Sequence, residues 1–367
     1  MAKEFNSLTD ILFPPEKYAK RKIKLHSFVY YPVSLRHESK KSKALCAKIR
    51  MDDGAMVTLP VTFSSPEDFA KRGPAEWKKR LQMFVKSGKP VPAGAYLDQK
   101  PDEFYIEFEL DFAFKLMLHN MRLVSKPSLD EQALRPVVSS IESAAGQTDF
   151  NVAVDFNRIC QLFDLIDAPL LVCCDVDPDD GTHMSMLPFI RFPAYLTEQD
   201  GRISSARVLF DPTWRFGEDG LDLNDADAYN ANRGIIEVQA DFPEPVDNEE
   251  AAAALKQVLI ERVQADMHNG LPILDSRTEQ DLQEKPDLYI ELEPEFGLKC
   301  MLHNRLVQKG KTVAQLAELL QLSKEITTRL LEPGESCDFR DYWRAFNAID
   351  SKLKISGKDS DDVMLGR

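Results

Sequence analysis

The chain has 367 residues, 43% of them hydrophobic, with 46 basic against 60 acidic side chains and only 16 glycines. That is an ordinary globular composition with ample material for a packed core, and half the length is a comfortable domain size. No stretch approaches the ~20 apolar residues of a membrane span, and the opening MAKEFNSLTDILFPP lacks the order of a signal peptide, so a cytoplasmic protein without membrane contact is expected.

Six cysteines (Cys46, Cys160, Cys173, Cys174, Cys300 and Cys337) include no CxxC pair, which argues against a disulfide framework and a zinc ribbon. A net charge of −14 excludes a protein that coats nucleic acid over its whole surface. The charge is unevenly placed. Residues 1–50 carry twelve basic and four acidic groups and residues 299–367 carry twelve and ten, which leaves −24 for residues 51–298. Both ends can approach phosphate, while the middle repels it or attracts a basic protein. The basic run at 17–24 reads first as a solvated face.

In chain order, FVYYPVSL (28–35), LCAKIRM (45–51) and MVTLPVTF (56–63) are rich in β-branched and aromatic residues and broken by polar turns, which predicts three antiparallel strands. A helix is predicted over 74–87, with Pro74 at its start and Trp77, Leu81 and Phe84 on one face. FYIEFEL (104–110) alternates apolar and acidic residues as an amphipathic strand does, and runs into the helix DFAFKLMLHNMRLV. The same order follows in MLPFIRFPAYL (186–196), ARVLFDPTW (206–214), GIIEVQADF (234–242), an Ala-rich helix at 249–268, a strand at 288–293 and a helix at 295–307. The Gly-, Asp- and Asn-rich stretch 215–234 reads as an exposed loop inserted between two strands.

That parallel is also written in the residues. KPDEFYIEFELDFAFKLMLHN (100–120) returns as KPDLYIELEPEFGLKCMLHN (285–304), so that Tyr105, Glu107, Glu109, Phe112, Lys115 and the run Met117 to Asn120 recur 184 positions later. SGKPVP (87–92) is echoed by NGLPIL (269–274), and DFNRICQLFDLIDAPLLV (155–172) by DFRDYWRAFNAIDSKLKI (338–355). The acidic run DVDPDDG (175–181) lacks the residue order of a calcium loop and reads as a linker.

The most specific local signal is KTVAQLAELLQLSKEITTRLLEPG (311–334). Val313, Leu316, Ala317 and Leu320 give one apolar helical face, Ser323 can cap a second helix, and Ile326, Leu330 and Leu331 give its apolar face. Two short helices joined by a three-residue turn predict a helix-turn-helix, with an ordinary helical hairpin as the plainer alternative. Ser323, Lys324, Thr327, Thr328 and Arg329 are then the candidate DNA-binding residues, hydroxyl and cationic donors suited to phosphates and base edges. Gln321 stands where the turn usually has Gly, which implies a left-handed residue costing ~1 kcal/mol or an altered turn.

With YPV on a first strand, a three-stranded sheet, a helix closing in GKPVP, the strand YIEFEL, a helix with an Asn near its middle and a terminal LSKEITTRLLEP, each half resembles the HicB family of type II antitoxins. The resemblance covers about 184–357, best at 298–334, and 28–172, best at 30–33 and 87–120. It implies an α+β fold of two tandem units, each a small antiparallel sheet with helices in a partial ribonuclease-H-like arrangement, followed by a helical region. The implied plan is a basic arm (1–25), a first unit (26–126), a degenerate helix-turn-helix (127–174), a linker (175–183), a second unit (184–309), a helix-turn-helix (310–357) and a tail (358–367). It further implies operator DNA and a small basic HicA-like toxin ribonuclease as partners, with a homodimer or a pseudo-dimer within the chain. Where the second half has its helix pair, the first has SLDEQALRPVVSSIESAAGQTDF (128–150), with Pro136 inside and Arg135 as the one cation, so DNA reading is expected from the second half alone.

Catalysis is not expected. Glu107, Glu109 and Asp111 recur as Glu291, Glu293 and Glu295, yet a metal-dependent nuclease needs acids from neighbouring elements too, and FVYYPVSL and MLPFIRFPAYL supply none. His119 and His303 are expected to hold structural hydrogen bonds beside Asn120 and Asn304. No phosphate-binding loop, GxSxG or Gly-rich nucleotide turn is present. No catalytic, cofactor-binding or metal residue is therefore assigned. A regulator without a toxin, a protein-interaction scaffold and, more remotely, a nuclease are the alternative functions.

Overall fold

The computed structural model describes residues 23–39, 42–95, 103–124, 155–164, 166, 168–177, 182–210, 237–274, 276 and 285–357. The basic arm through residue 22, the degenerate segment 128–150, the inserted stretch 215–234 and the tail 358–367 lie outside them. The fold is α+β, and the chain divides into two compact units. Unit 1 comprises Met1–Val154, Arg158–Leu171 and Lys354–Arg367; unit 2 comprises Asp155–Asn157 and Val172–Leu353. Among the described residues, no helix is long and apolar enough to cross a membrane.

Among the described residues, unit 1 first forms a single helical turn, α1 (His26–Val29), so the first strand starts two residues later than its composition predicts. The strands are β1 (Tyr30–His37), β2 (Leu45–Arg50) and β3 (Met56–Phe63), followed by helix α2 (Pro66–Lys86), strand β4 (Phe104–Glu107) and helix α3 (Leu110–Val124). All pairings are antiparallel and the sheet order is β3-β2-β1-β4. Alternation sends Tyr31, Val33, Ala47, Ile49, Val57, Leu59 and Phe63 into the core, where α2 contributes Phe69, Trp77, Leu81 and Phe84. Tyr31 meets Trp77 and Phe108 edge to face at centroid distances of 5.5 and 5.7 Å.

Helix α2 begins eight residues before the predicted start. Ser65 caps it by accepting the Asp68 N–H at 3.2 Å, and Pro66 occupies the first turn, where its missing N–H is harmless. Pro74 instead lies inside the helix, a position that costs ~3 kcal/mol and is offset here by burial of Trp77, Leu81 and Phe84. Ile23 and Leu25, assigned by sequence to the basic arm, are buried: Leu25 donates to the Ile355 carbonyl at 2.9 Å and Gly357 to that of Ile23 at 3.0 Å.

Helix α4 (Phe156–Asp164) and strand β5 (Leu170–Asp177) follow, and β5 pairs with β6 (Thr182–Ser185). Residues 175–177 and 182–183, read from sequence as linker, are therefore strand. The run LLVCCDVD favours extended backbone, and Asp175 faces His183 across the hairpin at 3.0 Å.

The second sheet comprises β7 (Arg191–Gln199), β8 (Arg202–Leu209) and β9 (Glu237–Val246), with helix α5 (Asn248–His268), strand β10 (Leu288–Glu291) and helix α6 (Pro294–Gln308). Its order, β9-β8-β7-β10, is that of the first sheet. The register agrees too: Pro193 opposes Tyr289 as Pro32 opposes Tyr105. Asp200 and Gly201, with φ of 52° and 76°, turn β7 into β8, the two left-handed residues of a tight hairpin. The predicted strand at 186–196 begins only at Arg191, because Leu187–Phe189 form a 3-10 turn around Pro188. Beyond α6 the chain continues as α7 (Val313–Leu320), α8 (Lys324–Arg329), α9 (Phe339–Ala348) and β11 (Leu353–Gly357).

Candidate nucleic-acid interface

Helix α6 is the platform beneath the helix pair. It is buried along most of its length, including Glu295, Lys299, His303, Asn304 and Arg305, side chains that would each be costly to desolvate without partners. Asn304 solves this by a reciprocal pair with the loop after α5: its Oδ1 accepts the Ile273 N–H at 2.7 Å and its Nδ2 donates to the Ile273 carbonyl at 2.8 Å. His303 donates from Nε2 to the Leu271 carbonyl at 2.7 Å. In unit 1, Asn120 makes the same pair with Val91, at 2.7 Å for both bonds, and His119 the same bond to Lys89 at 2.9 Å. The structural hydrogen-bonding role expected for both histidines is what these contacts provide. Burial pushes the His303 pKa down, which keeps its ring neutral.

Glu295 and Lys299 tie α6 to the helices above. Lys299 Nζ donates to the carbonyls of Arg329 at 3.1 Å and Glu335 at 2.6 Å, closing the end of α8, whose last carbonyls have no partner within the helix. Glu295 lies 3.9 Å from that ammonium and accepts the Cys337 N–H at 2.7 Å and the hydroxyls of Ser336 at 3.1 Å and Tyr342 at 3.0 Å. Burial lowers the Lys299 pKa and raises those of Tyr342 and Cys337. This network was not found from sequence. The signal available was the pairing of an acid and a lysine four apart in both halves, Asp111 with Lys115 and Glu295 with Lys299, and Lys115 does lie 3.5 Å from Asp111.

Above the platform, α7 starts with a capping box between Thr312 and Gln315 and buries Leu316, Ala317 and Leu320. It ends at Gln321 with φ 55° and ψ 39°, the left-handed residue implied where glycine is usual. Ser323 then caps α8, accepting the Ile326 N–H at 3.3 Å. The pair is completed by α9, which buries Phe339, Tyr342, Trp343 and Phe346; Arg344 donates to the Leu320 carbonyl at 3.1 Å, and Phe339 stacks on Phe156 at 4.8 Å.

The candidate DNA-binding residues divide. Lys324 and Arg329 are exposed, and Arg329 Nε sits 3.2 Å from the Glu335 carboxylate. Ser323 is exposed but spends its hydroxyl oxygen on the cap, and Thr328 is half-buried. Thr327 does not face outward. It is fully buried and its hydroxyl donates to the Ser323 carbonyl at 3.1 Å, while Ile326, expected in the apolar face, is 43% exposed. Leu330 points inward as expected, and Thr327, three residues before it on the same face, takes the inward place expected of Ile326. Helix α8 is six residues long, and four glutamates accompany its two cations between residues 313 and 335, so the face is not strongly basic.

The carboxylates singled out on the strand-to-helix segments behave differently again. Glu107, Glu109, Glu291 and Glu293 are exposed, whereas Glu295 is buried with its oxygens engaged by Cys337, Ser336 and Tyr342. Among the described residues no three His, Cys, Asp or Glu side chains are placed to hold a metal ion. Cys174 is buried against Met184 and its thiol is pushed up to about 12 by that burial, which makes it unreactive. No protein-family model matches the chain, and no curated protein matches it either.

Proposed function

We propose that the chain is a non-enzymatic, HicB-like regulator that binds operator DNA through α7 and α8 and, as an antitoxin does, neutralises a small basic toxin ribonuclease and represses its own operon. The observation that carries this reading is the two short capped helices joined through left-handed Gln321, with Lys324 and Arg329 exposed on the second. Ser323 lies exposed beside those cations, while Thr328 turns towards α6 and Thr327 fixes the helix from within. The acidic excess of residues 51–298 supplies the complementary field for a basic partner, which speeds its capture.

The test is a binding titration with the DNA upstream of the chain's own gene at several salt concentrations. The wild-type chain is expected to bind, and each of Lys324→Ala and Arg329→Ala to weaken binding and lower the salt slope by about one per lost phosphate contact. Undiminished affinity in the double variant overturns the DNA assignment. The antitoxin part predicts co-purification with the product of a short basic reading frame beside the gene; its absence leaves a stand-alone transcription regulator.

A second reading has its own observation. Leu319 and Ile326 are 48% and 43% exposed on the same helix pair, as in a surface that meets protein. A scaffold or dimerisation role predicts no DNA binding at any salt and a change of oligomeric state in Leu319→Lys with Ile326→Lys.

A further inference from the structure

A cavity of about 410 Å³ lies within unit 2, where the end of α5, the C-terminal part of α6, the start of α7 and the end of α8 meet. Its apolar wall is formed by Met267, Leu306, Val307 and Leu331, and its size falls in the range of small-molecule sites. What sets it apart is the polar rim. Gln264, His268, Lys311, Thr328 and Glu332 all line it, and among the described residues none of these side chains makes a hydrogen bond or an ion pair. His303 lines it too, and its Nε2 donates to Leu271, so in the neutral ring Nδ1 is a lone-pair acceptor that has no donor among the described residues.

The chemistry of the rim narrows the ligand. One ammonium, Lys311, and one carboxylate, Glu332, share the wall. A ligand with a single charge would satisfy one and desolvate the other, and a nucleotide would bring several negative charges against Glu332. We propose that this cavity is a binding site for a small zwitterion with an apolar body, of the size of an aromatic amino acid. Its carboxylate meets Lys311, its ammonium meets Glu332 and the His303 acceptor, and its side chain packs on Met267, Leu306, Val307 and Leu331. Sulfur against an aromatic ring suits Met267.

Thr328 belongs to α8 and Leu331 follows it, so an occupied cavity holds the second helix of the pair against α6. That coupling to DNA rests on the helix-turn-helix reading; the binding itself does not. The test is calorimetric titration of the full chain with L-phenylalanine and L-tryptophan, with phenylethylamine and 3-phenylpropionate as probes that keep one charge each. The amino acids are expected to bind at least tenfold more tightly than either single-charge probe. Lys311→Met and Glu332→Gln should each weaken them tenfold or more, and Val307→Trp, which fills the cavity, should abolish binding while the chain keeps its circular dichroism. Failure of both amino acids to bind at millimolar concentration overturns the proposal, as does equal binding of a single-charge probe or unchanged affinity in the variants. Amino-acid binding by a chain that ignores its upstream DNA overturns only the DNA reading, and DNA binding without amino-acid binding overturns only this one.

Discussion

Asn304 shows how much one buried side chain can carry. It is fully buried and satisfies both the N–H and the carbonyl of Ile273, so Asn304→Ala strands two backbone groups away from water. The expected loss is about 3 kcal/mol in urea unfolding, and Asn120→Ala should cost a similar amount in unit 1, because its bonds to Val91 are the same pair. Lys299 is a harsher case. Lys299→Met removes the donor to Arg329 and Glu335 and leaves Glu295 buried beside an apolar chain, a change worth roughly 3–5 kcal/mol. Adding Glu295→Gln should recover part of that loss, and a double-mutant cycle by chemical denaturation measures the recovered portion. At this scale the sequence was informative about Asn and His, whose repeated LHN motif pointed to a shared structural role. It was silent on Lys299, because an (i, i+4) charge pair on a helix reads as solvated until the elements above it are placed.

The helix pair is where element-scale physics decides most. Its existence was legible: the apolar spacing of Leu316, Ala317 and Leu320, the cap at Ser323 and the anomalous Gln321 all predict the arrangement observed. Gln321→Gly removes the Cβ from a left-handed position and should stabilise the chain by about 0.5–1 kcal/mol, read as a higher unfolding midpoint. The rotation of α8 was not legible. A six-residue helix offers fewer than two turns of periodicity, and Ile326 and Thr327 stand four and three residues from Leu330, so only tertiary packing distinguishes which of them is buried. The same lesson applies to α2, where Ser65 and Pro66 form a stronger beginning than Pro74.

For the whole molecule, pH is a direct probe. The folded His303 pKa lies below its ordinary value of 6.5 because burial disfavours the imidazolium, with the Asp266 carboxylate and the bond to Leu271 opposing that shift. The unfolded chain therefore takes up the proton first. Stability from this group is complete above the unfolded pKa and is lost as pH falls from about 6.5 towards the folded value. His303→Gln, whose amide can replace Nε2 as donor to Leu271, should flatten that part of the pH profile of the unfolding midpoint; an unchanged slope assigns the dependence to other groups.

The sequence by itself determined the α+β class, the recurrence of one motif 184 residues apart and the helix pair near the C-terminal end, because each is encoded in local periodicity, capping and turn chemistry. Only the tertiary structure decided that Pro32 with Tyr105 and Pro193 with Tyr289 stand in the same register, that Thr327 faces inward, and that Lys311, Glu332 and His303 converge on one cavity. Those relations depend on contacts between elements far apart in the chain, where burial and desolvation, rather than local propensity, select which side chains meet.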